Sequence, residues 1–291
     1  KNIYSVKLIT DNRGFKYLKD FKNLNLIKIS SSPILKKNIF KFIFSIFIIL
    51  FSILRSLIFL LFNRPSIILG MGGYSAFPVC IAATILRIKF IIYENNLIIG
   101  KSNRYLLPFA KKMFVSYKEL DGIPKKYNEK IFVTGNIIRE EILNSKKENI
   151  EKNVFKEVIV LVLGGSQAAE VFGEILPQIF KKIKKSKISF KVFQQCNSDQ
   201  NEQLSRFYKK ENIDFEIFNF TNKIADYYSK TNLVITRSGA SVLGELINVK
   251  IPFISVPLPT SADNHQLKNA IYYQKRGFGF LIEEKDLNDK L

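Results

Sequence analysis

RSGASVLGELINVKIPFISVPLPTSADNHQ, residues 237–266, is the segment with the most informative pattern in this sequence. Its pattern, with the apolar run before it, predicts a buried strand at 233–236, a turn of small residues, a helix from about Ser241, a second apolar strand at 251–256 and a polar loop. A helix that begins directly after a strand presents free backbone N–H groups, which can bind phosphate. The stretch therefore predicts an α/β domain with a nucleotide-diphosphate site at the carboxyl ends of parallel strands.

Polar side chains accompany this predicted phosphate site. Glu245 lies about one turn into the helix, where its carboxylate can accept hydrogen bonds from a ribose diol. The Pro-x-Pro loop then brings Asp263, Asn264, His265 and Gln266 to the same edge of the sheet. These residues predict a pocket for a nucleotide and its attached group.

Length and charge limit the class of protein. A chain of 291 residues can bury two cores of ordinary size, so we expect two domains. The formal net charge of +20 favours nucleic acid, acidic lipid surfaces or phosphorylated ligands as partners. We do not expect nucleic acid, because the sequence has no RNP-like aromatic run, no zinc-finger spacing and no Trp. Cys80 and Cys196 stand alone, which fits a reducing cytoplasm and predicts neither a disulfide nor a zinc site.

Residues 39–62 form the most apolar segment of the sequence, IFKFIFSIFIILFSILRSLIFLLF. Three interpretations stay open. The segment can be one or two hydrophobic helices packed on a sheet, or an interfacial helix with Lys36, Lys37, Lys41 and Arg55 near lipid headgroups. It can also span a membrane if Arg55 snorkels, although the uncharged run is shorter than the about 20 residues that a span requires.

Two Gly-rich turns each follow an apolar strand. The first, GMGGYSAFP at 70–78, follows a strand at 66–69, and the second, Gly-Gly-Ser-Gln from Gly164, follows a strand at 158–163. Both turns allow close approach of a ligand to the backbone. The charged segment 140–156 separates them, so the fold starts again after a linker.

The motifs, in this order and spacing, resemble those of the MurG family of glycosyltransferases over the range from Thr10 to about Leu287. The matching segments are T-D-x-R-G at 10–14, G-x-G-G-Y-x-x-x-P at 70–78, E-x-N…G-x-x-N-R at 94–104, T-G-N-x-x-R at 134–139, G-G-S-Q at 164–167, F-x-x-x-I-A at 220–225, and R-S-G-A…E…P-x-P…D-N-H-Q-x-x-N-A at 237–270. The sequence departs from the family pattern at Tyr93 (His in the family), Asn95 (Gln), Ile137 (Pro) and Ala168 (Gly).

The resemblance implies the GT-B architecture, an α/β fold in which two Rossmann-like doubly wound domains face a cleft. Residues 1–139 would form an acceptor-binding and membrane-associating domain, 140–156 a linker, and 157–291 a domain that binds the UDP-sugar. The family also has an upstream strand with a Gly-rich loop ending in His, and closing C-terminal helices. We expect this chain to bind donor poorly or turn over slowly unless the upstream strand is restored.

The resemblance also implies an activity. We expect an inverting transfer of N-acetylglucosamine from UDP-N-acetylglucosamine to undecaprenyl-pyrophosphoryl-muramoyl-pentapeptide, lipid I, to give lipid II for peptidoglycan. The enzyme would be peripheral on the cytoplasmic face of the bacterial inner membrane, against an anionic lipid surface. A related glycosyltransferase acting on another lipid, such as diacylglycerol, and a basic membrane-surface binding module are the alternatives. We expect no cofactor and no metal, because no Asp-x-Asp pair is present to hold a metal-bound diphosphate.

Site residues follow from the same motifs. The donor UDP-N-acetylglucosamine would bind Asn96, Arg139, Ser166, Thr221, Ala240, Ser241, Glu245 and Gln266. The acceptor or its diphosphate would bind Gly72, Gly73, Tyr74 and Asn103. Asn96 and Asn103 can alternatively serve in turns and caps, and the loop at Ser166 can be a structural turn. The family's proposed base is the His of the upstream Gly-rich loop, so Glu94 is the remaining candidate base in this sequence.

Overall fold

The computed structural model describes residues 5–18, 25–31, 39–144, 157–165 and 170–291. The chain divides into two compact units, Lys1–Gly135 and Asn136–Leu291. Arg139, which the sequence placed at the end of the first domain, therefore groups with the second unit. The predicted linker contains a short helix at its start, and most of it lies outside the described residues.

The described residues of the first unit form six strands and four α-helices. The strands are β1 (Lys7–Thr10), β2 (Asn25–Lys28), β3 (Ile68–Gly70), β4 (Phe90–Glu94), β5 (Lys112–Val115) and β6 (Ile131–Val133). The helices are α1 (Asn12–Leu18), α2 (Ile39–Phe62), α3 (Gly73–Ile85) and α4 (Lys101–Leu106), with a 3-10 helix at Lys125–Lys130.

The first unit is built from parallel strands. β3, β4, β5 and β6 pair in that order, and β1 and β2 form a separate parallel pair. The core below the four-stranded sheet contains Phe90, Ile92 and Met113 from the strands and Val79 from α3. Because all four strands run in one direction, the polar residues that follow β3, β4 and β5 emerge at the same edge.

In the second unit, the described residues form seven α-helices and six strands. Its elements are the helices α5 (Glu140–Leu143), α6 (Glu170–Lys184), α7 (Asn201–Lys210), α8 (Ile224–Lys230), α9 (Ala240–Asn248), α10 (His265–Lys275) and α11 (Leu287–Lys290), and the strands β7 (Val158–Leu163), β8 (Phe190–Gln195), β9 (Asp214–Phe218), β10 (Leu233–Thr236), β11 (Phe253–Ser255) and β12 (Gly279–Leu281).

The sheet of the second unit is fully parallel, with the order β12-β11-β10-β7-β8-β9. β7 lies near its centre, and its VIVLVL sequence suits a strand buried on both faces. Chain order reverses between β7 and β10, and this switch point is where open α/β sheets bind ligands. Thr236 at the end of β10 is level with Leu163 at the end of β7. Two parallel-sheet α/β domains, as the sequence predicted, are confirmed.

Helix α2 is continuous over 24 residues and packs against the first unit through its serines. Ser45, Ser52 and Ser56 are buried with Leu60, and the hydroxyl of Ser52 donates to the carbonyl of Ser30 over 2.6 Å. Twelve large apolar side chains of the helix are instead exposed: Ile39, Phe40, Ile43, Phe44, Ile46, Phe47, Leu50, Phe51, Leu54, Ile58, Leu61 and Phe62. The segment is therefore a single helix that the first unit covers only in part. By length and composition, α2 is also long enough to cross a membrane.

Candidate functional site

In the first unit, the buried carboxylate of Glu94 organises the loop that follows β4. Oε1 accepts hydrogen bonds from the backbone and side-chain nitrogens of Asn96, at 3.1 and 3.0 Å. Oε2 accepts from the backbone nitrogen of Gly100 at 2.8 Å and from the side chain of Asn103 at 2.9 Å. A carboxylate has about four acceptor positions, and all are used here. This geometry argues against Glu94 as a general base and favours a role in positioning the loop.

Asn103 connects this loop to the Gly-rich turn before α3. Its side-chain nitrogen also donates to the Tyr93 carbonyl over 2.9 Å, and a Cβ on Gly72 would lie 3.4 Å from that nitrogen. Gly72 and Gly73 have φ of 76° and 73°, a conformation that favours glycine. Oδ1 of Asn103 is buried and has no hydrogen-bond partner among the described residues. The turn therefore places the open backbone of Gly73 and the unsatisfied Oδ1 of Asn103 near the start of the 13-residue helix α3.

Tyr93 and Ser116 were not predicted as site residues, and they connect the ends of three strands. The Tyr93 hydroxyl lies 2.7 Å from Oγ of Ser116, 3.1 Å from Oδ1 of Asn95 and 3.2 Å from the carbonyl of Gly135. Tyr93 is the penultimate residue of β4, Ser116 follows β5, and Gly135 lies just after β6. The tyrosine hydroxyl thus fixes the edge of the sheet at the position where the resembling family has His.

In the second unit, the N-terminus of α9 is the predicted diphosphate site. Ala240 is its first residue, Gly239 precedes it, and nothing lies within 4 Å of a Cβ placed on Gly239. Oγ of the fully buried Ser238 has no hydrogen-bond partner among the described residues. Asn269 on α10 donates to the Ser238 carbonyl over 3.2 Å, which holds the turn. The structure thus places Ala240 and Ser241 in the first turn of a nine-residue helix, as the sequence predicted.

Arg237, the first residue of the R-S-G-A motif, points into the protein and has a structural role. Its guanidinium donates to the carbonyls of Val256 and Pro257 at 3.3 and 3.4 Å and pairs with Glu284. It also lies 4.8 Å from the ring centre of Phe172. These contacts join the end of β10 to the segment that follows β11, so Arg237 supports the turn instead of binding ligand.

Glu245 lies on α9, and Arg139 and Tyr228 hold its carboxylate. Nε and Nη2 of Arg139 donate to Oε1 and Oε2, each over 2.9 Å, and the Tyr228 hydroxyl donates to Oε2 over 3.1 Å. Burial, together with the Glu245 carboxylate, raises the pKa of Tyr228 well above its ordinary value. Burial lowers the pKa of Arg139, but the hydrogen bond and charge of Glu245 outweigh it, so that pKa is raised. Sequence reasoning named Glu245 and Arg139 and missed Tyr228.

The D-N-H-Q loop before α10 has an unusual backbone. Asp263 and Asn264 both have positive φ, 52° and 53°, which non-glycine residues adopt uncommonly. His265 Nδ1 lies 2.8 Å from the Ala262 carbonyl, and Oε1 of Gln266 accepts from the Leu258 backbone nitrogen over 2.9 Å. Gln266 therefore ties the Pro-x-Pro loop to α10. Strain of this kind is typical of functional sites.

A cavity of about 220 Å³ borders the loop after β9 in the second unit. Its lining consists of Phe193, Glu216, Thr221, Lys223, Asp226, Tyr227 and Lys230. Oγ1 of Thr221 accepts from the Lys223 backbone nitrogen over 3.0 Å, which shapes the loop. Thr221, predicted to lie in the base-binding loop, therefore has a defined local structure. Ser166 lies outside the described residues.

Comparisons with known proteins agree with this architecture. Residues 1–115 match the glycosyltransferase family 28 N-terminal domain, and residues 159–291 match the family 28 C-terminal domain. The crystal structure of Acinetobacter baumannii MurG shares the fold with a TM-score of 0.74 at 23% identity, covering 98% of this chain and 80% of that one.

Curated relatives agree over nearly the whole chain. The UDP-N-acetylglucosamine--N-acetylmuramyl-(pentapeptide) pyrophosphoryl-undecaprenol N-acetylglucosamine transferase of Pelagibacter ubique is 33% identical over 288 residues, 99% of this chain and 79% of the relative. The transferase of the same name from Rickettsia felis is 34% identical over 296 residues, 99% of this chain and 81% of the relative. The chain belongs to this family of N-acetylglucosamine transferases, the MurG family.

Proposed function

We propose that this chain transfers N-acetylglucosamine from UDP-N-acetylglucosamine to lipid I, with inversion at the anomeric carbon, to give lipid II. The observation that carries the proposal is the buried Glu245 carboxylate, held ready on α9 beside a helix N-terminus. A carboxylate at this position suits a ribose diol, and free N–H groups at the helix start suit a diphosphate. The family's relatives carry the same activity in their names.

Apart from Asn96, the groups that would hold the donor belong to the second unit. The diphosphate would accept hydrogen bonds from the backbone at Ala240 and Ser241, from Ser166 and from Arg139. These donors would stabilise the negative charge that develops on the leaving UDP. Thr221 would contribute its backbone to the uracil site. Oε1 of Gln266 accepts one hydrogen bond from Leu258, so the amide nitrogen and the second lone pair of Oε1 would be available to the sugar hydroxyls.

The acceptor would bind the first unit at the Gly-rich turn. A Cβ on Gly73 would meet no atom within 4 Å, so the backbone is open there, and Tyr74 follows in the first turn of α3. A diphosphate there would meet the N-terminus of a long helix. Glu94 would keep Asn96 and Asn103 in place around it. Glu94 would thus act by positioning the loop, because all acceptor positions of its carboxylate are occupied.

The membrane surface would be met by α2. Three serines and Leu60 are buried against the protein, whereas twelve large apolar side chains are exposed, unlike a helix that buries its apolar face in a soluble core. Arg55 is exposed on the same helix, which favours a helix lying in the headgroup region over one that spans the bilayer. The net charge of +20 would attract anionic lipids. This membrane face would lie on the cytoplasmic side, which a nucleotide-sugar donor and the free cysteines Cys80 and Cys196 support.

Transfer of labelled N-acetylglucosamine from its UDP donor tests the proposal directly. The purified chain is offered a lipid I analogue and, in parallel, diacylglycerol in the same detergent. We expect labelled product only with the lipid I analogue. Product with diacylglycerol alone would select the related lipid glycosyltransferase, and absence of UDP binding in calorimetry would leave only a membrane-binding module.

A further inference from the structure

Side chains of the protein nearly saturate the carboxylate of Glu245. Arg139 donates two hydrogen bonds to it and Tyr228 donates one. A carboxylate accepts about four hydrogen bonds, so about one position is left. A ribose diol presents two hydroxyl donors to a carboxylate. A ribose can therefore bind both oxygens of Glu245 only if at least one Arg139 bond breaks.

The three side chains differ in their freedom to move. The Glu245 side chain is 7% exposed and that of Arg139 is 46% exposed. Tyr228 is fully buried on α8. Arg139 is therefore the partner that can leave, because its guanidinium can rotate into solvent, whereas Glu245 and Tyr228 are fixed by packing.

We propose that Arg139 is a specificity-determining residue that makes the donor site select nucleoside diphosphates over nucleosides. In the structure the guanidinium of Arg139 occupies the Glu245 carboxylate. When a nucleotide binds, the ribose hydroxyls replace Arg139 on Glu245, and Arg139 moves to the diphosphate. The inference rests on the proposed function, because it takes Glu245 as the ribose-binding residue.

The selectivity follows from what each ligand offers the displaced guanidinium. UDP supplies a phosphate, which forms strong charge-assisted hydrogen bonds with Arg. Uridine supplies the same base and diol but no anion, so the bidentate contact of Arg139 with Glu245 is lost without replacement. Arg139 therefore disfavours uridine and favours UDP, and its removal should change the two affinities in opposite directions.

Calorimetric titration of the full chain with uridine and with UDP tests this. We expect Arg139→Gln to bind uridine about threefold to fivefold more tightly, since a half-exposed Arg–Glu contact no longer competes. The same variant should bind UDP about tenfold more weakly, because a charge-assisted phosphate contact is lost. Tyr228→Phe should weaken both ligands, because the hydroxyl fixes the carboxylate that both ligands use.

Arg206→Gln is the matched control, since it removes a guanidinium from an exposed pair with Glu202 on α7. It should leave both affinities unchanged. If Arg139→Gln weakens uridine and UDP by the same factor, or leaves uridine binding unchanged, the proposal is overturned and the proposed function stands. If the wild-type chain binds no UDP, the proposed function fails, and this proposal fails with it.

Discussion

The side-chain nitrogen of Asn103 donates to Oε2 of Glu94 over 2.9 Å, and the same nitrogen donates to the Tyr93 carbonyl over 2.9 Å. One amide group therefore fixes both the end of β4 and the carboxylate that shapes the following loop. Two functional consequences can be separated by experiment. Glu94 either moves a proton or positions the acceptor loop, and the two roles give different kinetics.

Replacing Glu94 by Gln should act through the loop. The amide nitrogen would face backbone or side-chain donors, so we expect the free energy of unfolding to fall by about 2 kcal/mol. The KM for the acceptor should rise several-fold while the Kd for UDP stays unchanged, and Asn103→Ala should behave alike. The exposed Glu129→Gln is the control. A loss of kcat of about a hundredfold or more, with acceptor KM and stability unchanged, would instead identify Glu94 as the base.

Tyr93→Phe should destabilise the edge of the first sheet. The variant removes a hydroxyl that meets Ser116 and the Gly135 carbonyl, so we expect about 1–2 kcal/mol lower unfolding free energy in chemical denaturation. The control Tyr105→Phe removes the hydroxyl of an exposed ring and should leave the free energy of unfolding unchanged. Ser116→Ala combined with Tyr93→Phe should cost less than the sum of the single changes, because both remove the same contact. Strict additivity of the two changes in unfolding free energy would contradict the hydrogen bond between Tyr93 and Ser116.

The apolar runs predicted the strands well because parallel sheets bury both faces. The predicted strands 158–163 and 233–236 coincide with β7 and β10. The predicted strand 251–256 is shorter in the structure, Phe253–Ser255, because Pro252 and Pro257 lack the N–H groups that ladder pairing needs. A continuous apolar run therefore predicts a buried strand. The ends of that strand depend on backbone hydrogen bonding.

The side-chain contacts of the site could not be predicted from the sequence. Arg139 meets Glu245 across 106 residues and Tyr228 meets it across 17, so neither contact leaves a periodic signal. The motif identified Arg237, but only the structure shows that it is used in support of the turn. For α2, the spacing of Ser45, Ser52 and Ser56 marks one helix face. Which face meets the protein follows only from packing.

Alkaline pH should weaken the second unit. Burial, with the Glu216 hydrogen bond and charge, raises the pKa of Tyr227 from its ordinary value of 10.0 to about 12. The folded state therefore keeps a proton that the unfolded state loses first, so this stabilisation is complete below pH 10 and disappears as pH rises through about 12. Denaturation curves across this window should show the loss in the wild type and less of it in Tyr227→Phe. A Tyr105→Phe control should follow the wild type.

The outward apolar face of α2 predicts how the protein binds membranes. Phe44, Phe47 and Phe51 are 64%, 66% and 52% exposed. Their combined replacement by Ser should weaken binding to anionic vesicles by about a hundredfold or more, because each ring contributes apolar burial. The fold should survive, since these rings pack little against the protein.

The second unit offers a matched control for this membrane test. Phe220, Phe278 and Phe280 are 55%, 48% and 68% exposed, and replacing these three by Ser removes a comparable exposed apolar surface. Vesicle co-sedimentation of this control should match the wild type. Added salt should weaken binding in the wild type without abolishing it, because the apolar contribution is not screened. If both triple variants bind alike, α2 is not the membrane-binding element.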